Sequence, residues 1–221
     1  MILASALLGS IVSAVASDAV SSEHVIESRL FEAVSSQDEG AASGFEFSYT
    51  FIELGVGFYD IDDFDENSET IYGRASLGFL DLLYVFLDYQ NQSTDFQNTD
   101  TDLFGLGVGI HVDASPHLDF VGEASWLTAD VSSDLANLDD SNDGWSAFAG
   151  ARYLALPVND GGLELNGGFR WIELEGVLSD DQVGAWEAGA RYHFGRLFSL
   201  GGTYQFLEDD GFWGVDMRFS F

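Results

Sequence analysis

Cysteine and lysine are both absent from the 221 residues, and proline occurs only twice. Without cysteine there is no disulfide staple, no thiol nucleophile and no thiolate metal site. Without lysine, all positive side-chain charge rests on seven arginines against 38 Asp and Glu, giving a formal net charge of −31. A chain this acidic repels nucleic acid, which removes it from the list of partners, and attracts cations. Long apolar runs are also scarce. Only the opening "MILASALLGSIVSAVASDA" is continuously apolar, and it is shorter than the ~20 residues that a bilayer-spanning helix needs. It leads into Ala14-Val15-Ala16, the small-x-small pattern of a cleavage site, so residues 1–16 read as a signal peptide although no basic residue precedes Arg29.

What is abundant points to strands. Apolar residues make up 46% and aromatic residues 14%, with 19 Phe and 25 Gly, a mixture that favours β-structure punctuated by closely approached backbone. Residues 17–43 are rich in Ser, Glu and Ala and read as an N-terminal arm, with Val25, Ile26, Leu30, Phe31 and Val34 forming one stripe of a short helix. From Gly44 onward the apolar period is two. Breaks in it predict ten strands: 45–59, 68–79, 82–93, 101–113, 117–129, 144–156, 162–176, 182–194, 197–208 and 211–221.

These segments are longer than the ~5–6 residues of an ordinary strand and match what a tilted strand needs to cross a bilayer. Connections alternate between tight turns near Asp81, Ala114–Pro116, Asp160 and Gly195–Arg196, and longer acidic stretches such as "DIDDFDEN" and "DVSSDLANLDDSND". Short turns at one end and longer loops at the other are the asymmetry of a transmembrane barrel. The fold class is therefore all-β, an up-and-down antiparallel barrel of ten strands over residues 44–221. Eight strands is the alternative, but merging two strands requires implausibly long loops.

Alternation alone also fits a soluble barrel with its apolar face inside. Two features favour the opposite orientation. The polar face is crowded with Gly, which suits a narrow interior and is a poor choice for a solvated surface. Five arginines, Arg74, Arg152, Arg170, Arg191 and Arg218, fall on that face, together with Glu53, Asp88, Glu123, Glu187 and Asp216. In a confined interior neither sign can stay unpaired without a cost of several kcal/mol, so these ten residues read as an ion-pair network filling the lumen. Tyr59, Trp126, Trp145, Trp171, Trp186, Tyr192 and Trp213 lie near strand ends as candidate interfacial girdles, with aromatic core packing as the bland reading. Glu173 and Glu175 break the parity, which places them above the lipid or requires a bulge.

The final stretch "GFWGVDMRFSF", with Trp213, Val215, Met217, Phe219 and Phe221 at every second position, resembles the C-terminal assembly signal of bacterial outer-membrane proteins. "FSYTFIELGVGFYD" is similar to first strands of small OmpA-like or OmpX-like barrels. The resemblance covers residues 44–221 as an architectural pattern. It implies an integral protein of the Gram-negative outer membrane, surrounded by lipid and lipopolysaccharide and met by the barrel-assembly machinery during biogenesis. It implies no cofactor and no particular activity. The smallest members of that family have eight strands, and this chain departs from them with ten.

Candidate sites are few. The acidic loops present a rim that gathers divalent cations, which would bridge to lipopolysaccharide. Within "DDSNDG", Asp139, Ser141 and Asp143 match the opening of a calcium loop, yet Gly150 stands where the bidentate Glu is required, so a solvated acidic coat is the competing reading. His111 and His193 fall on the inner face near the short-turn end, His117 in a turn and His24 in the arm. None has a Ser or Asp partner at the outer rim, which argues against catalysis. Two functions remain: a sealed barrel for envelope structure or surface interaction, and a narrow cation-favouring porin-like channel. Inner Phe86 and Phe148 together with the ion pairs favour the sealed form.

Overall fold

A computed structural model describes residues 46–61, 66–94, 99–133, 138–158, 161–175, 182–207 and 210–221. The signal peptide, the arm, residues 44 and 45, and several rim acids, among them Asp62, Asp63, Asp65, Asp95, Asp134, Asp180, Asp181, Glu208 and Asp209, lie outside the described residues.

Ten strands follow one another around a closed antiparallel barrel: β1 (Phe51–Ile61), β2 (Glu66–Leu80), β3 (Leu83–Thr94), β4 (Thr99–Ser115), β5 (Leu118–Ser133), β6 (Leu138–Val158), β7 (Gly161–Glu175), β8 (Gln182–His193), β9 (Phe198–Leu207) and β10 (Asp210–Ser220). Each strand pairs with its sequence neighbours, and β1 closes on β10 from Phe51↔Ser220 to Asp60↔Gly211. The up-and-down connectivity and the count of ten are those read from the alternation.

Side chains sort by parity without exception along the middle of each strand. Leu54, Ile71, Leu87, Leu106, Val108, Phe120, Leu200, Val215 and Met217 stand on the outside, and Leu106 and Val108 are each 59% exposed. Tyr84, Phe86, Val121, Glu164, Arg191 and Asp216 face inward and are buried. The interior is thus the polar and glycine-rich side, as expected. Glycine matters there because rings lie flat on it: a Cβ on Gly107 would overlap the Phe86 ring, and one on Gly109 would overlap the Tyr84 ring.

Three departures from the expected elements have physical causes. First, β1 begins at Phe51 instead of residue 45. Its ladders end at Phe51↔Ser76 and Phe51↔Ser220, and the chain bends at Tyr49–Thr50, where the Tyr49 ring turns in to stack on Tyr84 and His111. Second, the stretch expected as a long loop between β5 and β6 is mostly strand. β5 runs to Ser133 and β6 starts at Leu138, paired from Ser133↔Leu138 to Leu118↔Tyr153, so pairing overrides the turn preference of its Asp, Ser and Asn residues. Third, the β-bulges sit at Gly78/Leu80, Asp113/Ser115 and Leu154/Leu156, all beside tight turns, and none lies in upper β7. Glu173 therefore stays on the outer row, opposite Trp145 at the edge of the apolar band.

Candidate functional site

Alternation places the five strand arginines on inward rows, and register then decides which carboxylates they meet. Arg74 on β2 stands opposite Asp88 on β3, and its guanidinium takes Asp88 through Nε at 2.6 Å and Nη2 at 2.9 Å. Its Nη1 crosses the interior to Glu123 Oε1 on β5 at 2.8 Å, where the Tyr84 hydroxyl also donates at 2.9 Å. Glu123 extends to Arg170 Nη2 at 3.7 Å, and Arg170 Nε donates to Glu187 at 2.5 Å. The result is one chain, Asp88–Arg74–Glu123–Arg170–Glu187, spanning β2, β3, β5, β7 and β8.

A second chain closes the seam. Arg218 and Glu53 are directly opposed across β10 and β1, with Nε to Oε2 at 2.8 Å. Arg191 reaches from β8 to the same Glu53 oxygen at 2.7 Å and to Asp216 Oδ1 at 2.7 Å. Nine of the ten residues read as the lumenal network thus meet one another, and the tenth, Arg152, pairs outside the set with Glu164, at 2.9 and 3.0 Å. Sequence reasoning missed Glu164, which is only 1% exposed and also bonds His193 Nε2 at 2.8 Å. The signal was present, because Glu164 shares the parity of Arg170 six residues later.

Four of the five guanidiniums also lie over a ring. Arg218 stacks on Phe51 at 3.9 Å, Arg74 on Phe86 at 4.4 Å, Arg170 on Phe148 at 4.9 Å, and Arg152 on Phe47 at 4.6 Å. The edge of each planar cation meets carboxylates while its face meets an aromatic quadrupole, so both hydration surfaces are replaced. This arrangement follows from register, since Phe148 directly opposes Arg170, and Phe86 and Phe51 are diagonal neighbours of Arg74 and Arg218.

The bent segment before β1 completes the short-turn end. Tyr49 is buried, stacked on Tyr84 at 4.9 Å and on His111 at 3.8 Å, and its hydroxyl donates to Asp119 at 2.9 Å. Its carbonyl accepts from the Ser76 hydroxyl at 2.8 Å, and the Thr50 carbonyl accepts from the Phe221 amide at 2.9 Å. Toward the other end Tyr72, Phe212 and Tyr59 pack together inside. Tyr59 is therefore lumenal, a correction to its place in the girdle, because it shares the odd parity of Glu53. Trp126, Trp145, Trp186, Tyr192 and Trp213 do stand exposed on the outside.

Asp139, Ser141 and Asp143, the calcium candidates, lie along one strand. Their backbone is β6, opposite Ser132, Asp130 and Thr128. Asp143 accepts from the Thr128 hydroxyl at 2.9 Å. His111 and His193 lie inside near the short turns, and His117 lies in the turn after β4.

No family model matches the chain, and no curated protein matches it. Solved structures similar to it include a NanC porin, with TM-score 0.48 and 11% identity over 77% of this chain and 100% of that one. The β domain of the Bordetella autotransporter BrkA gives TM-score 0.48 and 11% identity over 77% and 98%. A KdgM porin gives 0.42 and 9% over 78% and 99%. The architecture itself rests on this chain's own strand pairing: a closed, ten-stranded, up-and-down antiparallel barrel with charge inside and apolar side chains outside.

Proposed function

We propose that this chain is a non-enzymatic, integral barrel of the bacterial outer membrane, sealed by arginine–carboxylate pairs and serving envelope structure or surface interaction through its acidic rim. The observation that carries the reading is the inverted polarity. A ring of exposed Leu, Val, Ile and Phe around the whole barrel is costly in water, whereas in lipid it is the solvent-matched face. Its upper limit is marked by Trp126, Trp145, Trp186 and Trp213, above which the outer rows turn to Thr128, Asp130 and Asp143. Trp186 and Tyr192 on β8 are six residues, about 20 Å of strand, apart. In this reading the short turns face the periplasm, residues 1–16 direct export, and the terminal strand addresses the assembly machinery.

A narrow cation-favouring channel is the second reading. It is favoured by the count of inner-face charges, with Glu53, Asp88, Asp119, Glu123, Glu164, Glu187 and Asp216 set against five arginines. Planar-bilayer recording on the refolded protein separates the two. Silence supports the sealed barrel, and steady cation-selective conductance supports the channel. Loss of heat-modifiable gel mobility in detergent would sink both.

A further inference from the structure

The other lumenal carboxylates, Glu53, Asp88, Glu123, Glu164, Glu187 and Asp216, each hold an arginine. Asp119, at the start of β5 and only 4% exposed, holds the Tyr49 hydroxyl instead. Register sets Asp119 opposite Arg152 on one side and Asp113 on the other. Arg152, however, turns to Glu164, which leaves Asp119 facing a second carboxylate. Two carboxylates directly opposed, one of them buried, are an unfavourable arrangement unless a cation joins them.

His111 supplies the remaining donor. It lies two residues before Asp113 on the same face of β4, with Nδ1 3.3 Å from Asp113 Oδ1. Ligand atoms of His111, Asp113 and Asp119 all lie within 4.8 Å of one another. Donors on a common tetrahedral ion at about 2.0–2.2 Å are about 3.3–3.6 Å apart. His111 and Asp113 already have that spacing, and an Asp119 oxygen lies within 4.8 Å of both. We propose that His111, Asp113 and Asp119 form a site for one divalent transition-metal ion of the Zn²⁺ class at the short-turn mouth of the barrel.

The donor set decides the class of ion. An imidazole with two carboxylates suits a borderline ion, whereas calcium and magnesium favour oxygen alone. Neighbouring groups hold the donors in place. The Tyr49 hydroxyl fixes one Asp119 oxygen, and the Tyr49 ring lies 12° from parallel to the His111 ring, which holds the imidazole plane. Asp113, with a side chain 71% exposed, opens the site to water, so an ion enters without crossing the lumen. The ion would tie β4 and β5 to the segment that precedes β1. None of this depends on the membrane reading.

The test is calorimetric titration of the refolded full chain in detergent with Zn²⁺, with excess Mg²⁺ present to saturate rim carboxylates. A parallel titration uses Co²⁺, read by its visible d–d bands. The expected result is one equivalent per barrel, with affinity at least tenfold weaker in His111→Ala and Asp119→Asn variants that keep heat-modifiable mobility. Asp81→Asn, at another tight turn, leaves binding unchanged. If wild type shows no saturable binding, or His111→Ala binds as wild type does, the site does not exist. Should Asp119→Asn lose its folded mobility, the wild-type titration and His111→Ala decide the matter alone.

Discussion

A single lumenal arginine answers to more than one demand, and its removal exposes them separately. Arg152 bonds both oxygens of Glu164 and covers Phe47 and Tyr49. Arg152→Ala leaves Glu164 buried with His193 as its remaining partner, and about 3–5 kcal/mol of stability should be lost, measurable by urea unfolding followed through tryptophan fluorescence. Glycine is tested from the opposite direction. Gly107→Val forces a side chain into the Phe86 ring and should cost about 1–3 kcal/mol by overpacking. Gly202→Ala, whose added Cβ meets nothing nearer than 3.6 Å, should change little and serves as the control. At this scale the sequence was readable wherever parity sufficed, since residue type and odd or even position placed the five strand arginines inside. Parity does not say which acid an arginine chooses. Arg152 faces Asp119 on β5 and yet takes Glu164, its diagonal neighbour on β7, a choice between two inner-row acids that parity alone does not make.

Among elements, the segment before β1 is the one that alternation misreads. Phe47, Tyr49 and Phe51 keep a period of two, so a strand reading runs straight through the bend. Pairing is what a strand requires, and β2 and β10 provide it only from Phe51 onward. The same principle acts with opposite sign at β5 and β6, where residues suited to turns pair as strand because a neighbour is present. Strand existence and facing were therefore legible, whereas strand ends were set by partners distant in sequence. The bend carries a functional expectation. Phe47 and Tyr49 pack on Arg152, Tyr84 and His111 at the short-turn end, so under the sealed-barrel proposal a Phe47→Ala/Tyr49→Ala double variant should raise small-ion leak in planar bilayers above wild type while keeping heat-modifiable mobility. Tyr49→Phe, which retains the stacking on Tyr84 and His111 and loses one hydrogen bond, should leave conductance near the wild-type level.

At the level of the whole molecule, the decisive property is which solvent each surface meets. Leu106→Arg places a charge in the middle of the outer apolar band. In lipid it should cost about 2–4 kcal/mol, read from reversible unfolding in vesicles, whereas a face turned toward water would accept it at almost no cost. An unchanged unfolding midpoint would reverse the assignment of outside and inside. The seam has a consequence of its own. Glu53 and Arg218 are 165 positions apart along the chain, one on each of the two strands that close the ring. A ring joined by its two ends is complete only when β1 meets β10. Until the clasp between the first and last strands fastens, ten strands remain an open sheet with two raw margins, and once it does, no margin is left to unravel.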